Sequence, residues 1–335
     1  MLLELSTYLD NHWDMLELPQ GRDGNLSFFK VAGNSWEEGR INFLVFDEKK
    51  CEPLLFVKMM REESKNASIK REYATMQKIA ARDELAVFLP LPIEHIKIAG
   101  HDVIIQRACH GRRLITSMSR SSFLYFQKDT VRDNFKKALK FVVPFNKYMK
   151  NSLDAASFRE AITEPLLSFY SSFEPSDSKK ARLASILEGV EKEMGGKSFV
   201  VPAHGDYSAT NIFVEPDDRI TVIDWETAME ESLPFLDLFY FMSKYIHNLK
   251  VRPKDRWRRV REAYFGNNWF SELIRETVQE YCRLTGLDIE LGRAVFPLHF
   301  FIKAKIKYGM KGKAPSQLWM NLFEFSVNNS DRCCF

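Results

Sequence analysis

The chain has 335 residues, 45% hydrophobic and 28% charged, with a net charge of +3; that length can bury the core of one large or two linked domains, and the balance excludes large-scale disorder. So small a charge gives no reason to expect a nucleic-acid partner, no apolar run approaches the roughly 18–20 residues of a membrane span, and neither the start, Met1-Leu-Leu-Glu, nor the end, Arg332-Cys-Cys-Phe, carries a signal-peptide or prenylation pattern. Five cysteines without a C-x-x-C pair fit a reducing compartment, so a cytoplasmic protein is expected.

Residues 1–30 mix leucines with Trp13, Phe28 and Phe29 around a turn-rich stretch from Pro19 to Gly24, and are expected on the outside of the first domain. A polar, glycine-bearing segment from Val31 to Gly39 leads into a strand, Ile41 to Phe46. The next strand, Leu54 to Met60, carries Lys58 inside an apolar run, where an ammonium group must snorkel to water or find an anion. Between Ser64 and Ile79 apolar residues recur at Ile69, Tyr73, Met76 and Ile79, the spacing of an amphipathic helix, with Glu72 next to its buried face.

Leu89 to Pro92 reads as a rigid turn, and Glu94 to Ile98 with Asp102 to Gln106 as a strand pair. The run from Val103 to Gly111 is a buried strand that exits into a glycine turn. From Ser119 to Gly195 the pattern is helical, with Phe135, Leu139, Val142, Val143 and Phe145 on an apolar face; Pro144 and Pro165 are expected to bend or end helices, and Glu174 to Ser178 to form a surface loop.

The chemistry concentrates further on. A polar loop, His204-Gly-Asp-Tyr-Ser-Ala-Thr-Asn211, runs into an apolar strand, Ile212 to Val214; after a turn at Glu215 to Asp218 comes a second strand, Ile220 to Ile223, and then Asp224. A hairpin brings the loop before its first strand and the residue after its second to one end, so Asp206, Asn211 and Asp224 are expected to converge. Such a trio suits phosphoryl transfer, in which a carboxylate orients the attacking hydroxyl and hard oxygen ligands hold Mg²⁺ on the nucleotide phosphates.

The loop H-G-D-x-x-x-x-N and the segment Ile223-Asp-Trp-Glu226, with Asp206 and Asp224 18 positions apart, resemble the aminoglycoside phosphotransferase and choline kinase superfamily. The resemblance implies an α+β, bilobal, protein-kinase-like fold: a β-rich N-lobe over residues 1–106, a hinge at 107–111 and a mostly helical C-lobe over 112–335. It casts Asp206 as the catalytic base and Asn211 and Asp224 as Mg²⁺ ligands, with His204 holding the loop and Asp237 bracing it. Lys58 and Glu72 match the clamp on the ATP α and β phosphates. Gly33, Asn34 and Ser35 fall at the flap over the phosphates, and backbone groups near Arg107 and Cys109 at the adenine edge.

The implied activity is an ATP-dependent small-molecule kinase acting on a hydroxyl of a sugar, saccharide precursor or amino alcohol. Seven basic residues lie between Lys250 and Arg261, and residues 227–335 hold 17 Lys and Arg against 12 Asp and Glu. That balance argues for a neutral or anionic acceptor over a polycationic aminoglycoside. A solvated helix face is the alternative reading of the basic run, and Trp257, Tyr264, Phe265, Trp269 and Phe270 interleaved with it allow peripheral contact with a membrane surface. A non-catalytic, pseudokinase-like nucleotide-binding module is a reading of another class; against it, Lys58, Glu72, Asp206, Asn211 and Asp224 are all present. A protein kinase is opposed by the absence of H-R-D, D-F-G and A-P-E segments.

Overall fold

Alternation along one central strand sets out the first half of the molecule. The computed structural model describes residues 2–16, 24–31, 39–49, 52–62, 66–119, 127–195, 198–249, 256–311 and 317–335. They group into two units, Met1–Arg113 with Ile212–Glu226, and Leu114–Asn211 with Thr227–Phe335. The division is not a single cut of the chain: the hairpin that ends in Asp224, expected within a lobe starting at residue 112, groups with the first unit.

In the first unit, helix α1 (Leu2–His12) is followed by strands β1 (Leu26–Val31), β2 (Arg40–Asp47) and β3 (Pro53–Met60), helix α2 (Asn66–Ala80), and strands β4 (Pro92–Ile98) and β5 (His101–Arg107). The strands form one antiparallel sheet in the order β1-β2-β3-β5-β4. Successive side chains of a strand point to opposite faces. Accordingly Leu55, Val57 and Met59 of β3 join the core on one face, while Met60 packs with Ile69 of α2 and Ile104 of β5 in a separate cluster. Lys58, in step with Met60, is thereby directed to the α2 side.

The helix meets it with Ile69, Glu72, Met76 and Ile79, all buried, so Glu72 occupies the buried stripe and not its margin. The N-terminal residues, expected on the outside of the first domain, pack on a face of its sheet. Leu5, Leu9, Trp13 and Leu16 belong to the main core of the unit, because α1 closes the sheet face opposite α2. A small sheet completes the unit, Arg112–Arg113 pairing with Ile212–Val214, which pairs with Ile220–Val222. Gly111 makes the approach possible: its φ is +98°, and a Cβ there would lie 2.3 Å from the Val214 carbonyl oxygen.

The second unit is helical around a short three-stranded sheet of Asn151–Ser152, Phe199–Ala203 and Met229–Ser232. Its main helices are α3 (Lys128–Tyr148), α4 (Leu236–Asn248), α5 (Trp269–Thr285), α6 (Ile289–Lys311) and α7 (Gln317–Asn328). Helix α3 packs on α4 and α5, and α6 on α4 and α7. Pro144 does not end α3, which continues to Tyr148, and Pro165 does not end its helix either: it follows directly on a π-helical stretch, Arg159–Thr163, in a run that is helical from Ala155 to Ser171.

The basic run, left between a neutral or anionic acceptor, a solvated helix face and a membrane surface, is in part structural. Lys250, Arg252 and Lys254 lie outside the described residues, but Arg259 is buried and donates to the carbonyls of Leu249 (2.6 Å) and His247 (3.4 Å). Arg258 pairs with Glu262 at 2.8 Å, and Arg261 stacks 5.4 Å from the Phe325 ring. Of the interleaved aromatics, Tyr264 is fully buried and Trp257 packs between His247 and Trp319. No helix among the described residues is long and apolar enough to cross a membrane.

Candidate active site

The predicted site residues fall into two clusters, one in each unit. In the first, Lys58 stands between Asn42 of β2 and Ile104 of β5 in the ladder, only 5% exposed. Its Nζ donates to Glu72 Oε1 at 2.5 Å and lies 3.5 Å from Asp224 Oδ1. The same Glu72 oxygen accepts the backbone N–H of Trp225 at 3.2 Å, so one carboxylate oxygen ties the strand lysine to the segment that carries Asp224.

Arg40, absent from the sequence reading, completes the cluster. Its guanidinium is 3.7 Å from Asp224 Oδ1 and 3.8 Å from Glu72 Oε2, and it pairs with Glu226. Two cations thus face three carboxylates. Burial acts to lower the Lys58 pKa, but the charges of Glu72 and Asp224 outweigh it against repulsion from Arg40, and the ammonium is held above its usual value. Asp224 itself has φ +71°, a left-handed conformation tolerated by aspartate better than by most side chains and found preferentially at functional positions.

Residues 107–111, expected as a hinge, group with the first unit. The N–H groups of Arg107 and Ala108 are taken by the carbonyls of Leu91 (3.0 Å) and Leu54 (3.1 Å), while the Cys109 backbone makes no such bond among the described residues. An open pocket of about 540 Å³ runs beside Arg107, Ala108 and Cys109, but Lys58 and Asp224 do not line it. The Cys109 thiol is pushed up to about 12 by burial and then by the Glu215 charge, so it is protonated and a poor nucleophile. Gly33, Asn34 and Ser35 lie outside the described residues.

In the second unit the loop around Asp206 is held from several sides. Gly205 has φ +77°, and a Cβ there would sit 2.2 Å from the Thr227 carbonyl oxygen, so no other residue fits. The backbone N–H groups of His204 and Gly205 both donate to the buried carboxylate of Asp237, at 2.7 and 3.1 Å. The N–H of Asp206 donates to His204 Nδ1 at 3.2 Å, and Tyr207 anchors the loop to α3 through the Ala138 carbonyl at 2.8 Å. Asn211 closes the turn, its Nδ2 donating to the Asp206 carbonyl (3.0 Å) and to Oδ2 (3.3 Å).

The other oxygen of Asp206, Oδ1, accepts from the Tyr240 hydroxyl at 2.6 Å and from Lys303 Nζ at 2.7 Å. Burial opposes ionisation of Asp206, yet Lys303, with the Tyr240 hydroxyl and Lys307, outweighs it and holds the carboxyl well below the usual carboxylate range. Lys303 in turn is brought down to about 8 by burial, with Asp206 working the other way.

Neither Tyr240 nor Lys303 was recognised from the sequence. The signal for Lys303 was the one that flagged Lys58, a lysine in an apolar run, here Phe300 to Ile306. Tyr240 stands one helical turn after Asp237, so a helix that braces the loop through the aspartate delivers the tyrosine to it as well.

Each unit, taken by itself, offers one oxygen donor of a kind that suits a hard cation. The Asn211 amide nitrogen is spent on Asp206, which leaves its oxygen as the open donor, and the Asp224 side chain is 35% exposed. Among the described residues no group of three or more His, Cys, Asp or Glu forms a self-sufficient cage. Mg²⁺ does not need one, since it is commonly held by one or two protein oxygens together with substrate phosphates.

No protein-family model and no curated protein matches the sequence. Solved structures do. Choline kinase LicA from Streptococcus pneumoniae aligns over 97% of this chain and 98% of its own at 13% identity and a TM-score of 0.51. LicA in complex with AMP aligns over 98% and 96% at 11% identity and 0.51. A protein assigned as a fructosamine-3-kinase from Thermobifida fusca aligns over 96% and 98% at 13% identity and 0.52. With a five-stranded antiparallel sheet followed by helices, and alignments that cover nearly the whole of each chain, this protein has the α+β, protein-kinase-like fold of those kinases.

Proposed function

We propose that the protein is an ATP-dependent small-molecule kinase that transfers the γ-phosphoryl group to a hydroxyl of a sugar, saccharide precursor or amino alcohol. The observation that carries this reading is the double use of Glu72 Oε1, which holds Lys58 and the residue after Asp224 at once. A fixed, buried ammonium beside an exposed carboxylate suits a nucleotide phosphate and its metal ion. Support for a nucleotide comes also from LicA, whose fold this chain shares and which has been solved with AMP.

In this reading Lys58 binds the ATP α and β phosphates, Asp224 and Asn211 are the protein ligands of Mg²⁺, and the backbone near Cys109 receives the adenine edge. Mg²⁺, when bound, neutralises charge on the phosphates. Asp206 orients the acceptor hydroxyl. The acceptor oxygen bonds to the γ-phosphorus as the bond from that phosphorus to the ADP oxygen breaks, and the hydroxyl proton passes late to Asp206, which returns it to solvent. A loose transition state asks little of the base, so a carboxylate of low basicity suffices and most of the rate comes from positioning.

The test is Mg²⁺-dependent ADP formation against a panel of sugars, amino alcohols, aminoglycosides and protein substrates, with Asp206→Asn and Lys58→Met as controls. Turnover on one class of small hydroxyl compound, lost in both controls, is the expected result. Nucleotide binding that survives Asp206→Asn, with no turnover on any acceptor, favours a non-catalytic binding module.

A further inference from the structure

Lys303 is an expensive residue where it stands. It lies in α6 between Ile302 and Ala304, is 2% exposed, and comes from a point 97 residues beyond Asp206. Burying an ammonium costs several kcal/mol even when it is paired, and an apolar side chain of similar volume is commonly as stable or more so. A buried ion pair is therefore weak evidence for stability and asks for another explanation.

The geometry around the carboxylate supplies one. Lys303 Nζ donates to Asp206 Oδ1 at 2.7 Å and to the Gly205 carbonyl at 2.7 Å, gripping the loop by side chain and backbone together. The same Oδ1 takes the Tyr240 hydroxyl at 2.6 Å, and the Lys303 ammonium lies 3.9 Å over the Tyr240 ring, so the two donors also brace each other. Among the described residues Oδ2 has only the longer contact from Asn211, 3.3 Å. Lys303 is 2% exposed on its side chain and Asp206 is 29% exposed, so one carboxylate oxygen is fixed inside while the group still reaches the surface.

We propose that Lys303 is a positioning residue for Asp206: with Tyr240 it locks Oδ1 and presents Oδ2 alone to the hydroxyl of the acceptor. The assignment rests on the kinase reading for its role but on the α6-to-loop contact for its geometry. Other groups facing the ammonium do not replace Asp206. Lys307, one turn on in α6, and Lys244 of α4 repel it, Asp237 is committed to the loop N–H groups, and His299 accepts no charge at neutral pH because burial holds it down to about 3.

Two measurements test this. On the uniformly labelled wild-type protein, ¹⁵Nζ lysine spectra should contain, besides the signal of buried Lys58, a slowly exchanging ammonium signal that vanishes in Lys303→Ala and shifts in Asp206→Asn. That readout needs no turnover, so it stands or falls apart from the kinase reading; a Lys303 signal indifferent to Asp206→Asn overturns the contact. With the acceptor found by the panel above, Lys303→Ala should lower kcat about 100-fold, the scale of a misplaced reacting group, and leave KM for ATP within about 3-fold, because the Lys58 cluster is untouched. Methylammonium added to Lys303→Ala should restore at least a tenth of kcat, and methanol should not. Tyr240→Phe should keep the fold and lower kcat about 10-fold, which serves if Lys303→Ala does not fold. Wild-type kcat in Lys303→Ala, rescue by methanol as well as by methylammonium, or an unchanged kcat in Tyr240→Phe would each sink the proposal.

Discussion

Glu72→Gln isolates one charge with almost no change of shape. The glutamine oxygen can still accept from Lys58 and from the Trp225 N–H, so what disappears is the negative charge at 2.5 Å from the ammonium, and what appears is an amide NH₂ facing Arg40, now 3.8 Å from Oε2. Removing one member of a buried pair typically costs about 3–5 kcal/mol. Here Asp224 remains 3.5 Å from Lys58, but its side chain is 35% exposed and therefore screened, which places the expected loss at about 2–3 kcal/mol. Chemical denaturation should show that loss as a lowered midpoint.

The double replacement Lys58→Met with Glu72→Leu supplies the sign test. It removes both charges from the same site, so it should return stability to within about 1 kcal/mol of wild type while ATP turnover stays absent. The effect of Glu72→Gln should also hold constant from pH 6 to 9. The Lys58 pKa is raised in the folded state, so its contribution is complete below the unfolded value of about 10.4 and fades only as pH rises through the higher folded value. A loss under about 0.5 kcal/mol in Glu72→Gln, or a double variant weaker than either single one, would refute the reasoning.

The other expectations are briefer. Asp237→Ala strips the acceptor from two backbone N–H groups at 2.7 and 3.1 Å and should cost about 3–6 kcal/mol in denaturation, with Asp237→Asn intermediate. Gly205→Ala forces a Cβ to 2.2 Å from the Thr227 oxygen at φ +77°, so turnover should fall at least 100-fold even if thermal unfolding shows the fold retained. His299 is buried neutral and lowered from 6.5 to about 3, so its share of stability is whole above pH 6.5 and is lost as pH falls toward 3, at up to about 1.4 kcal/mol per pH unit. Unfolding measured from pH 7 to 4 should be steeper for the wild type than for His299→Gln; equal slopes would reject that assignment.

What the sequence disclosed and what it withheld divide along a physical line. Local periodicity predicted β2, β3, α2, β4 and β5 to within about two residues of where they lie, because each buries a repeating face of its own. It left α1 unassigned. Leu5, Leu9, Trp13 and Leu16 have a helical spacing, but which sheet face they close is decided by strands some 30 to 100 residues further on. Glu72 was set at the margin of its helix because a carboxylate does not read as a core residue; Lys58 from β3 and the Trp225 N–H put it there.

The same reasoning separates the candidate site into its legible and illegible parts. Residues whose chemistry is packed into a short motif, Asp206 with Asn211 or Asp224 with its strand, announce themselves by spacing. Partners recruited across the chain do not: Arg40 meets Glu226 within the first unit, and Lys303 meets Asp206 within the second, only once elements far apart in sequence have packed. A lysine in an apolar run must reach water or find an anion, and one that is buried calls for a carboxylate partner. By that criterion Lys58 and Lys303 make the same demand, and in the folded chain each is met by an acidic side chain, one at the proposed phosphate clamp and one at the carboxylate proposed to orient the acceptor.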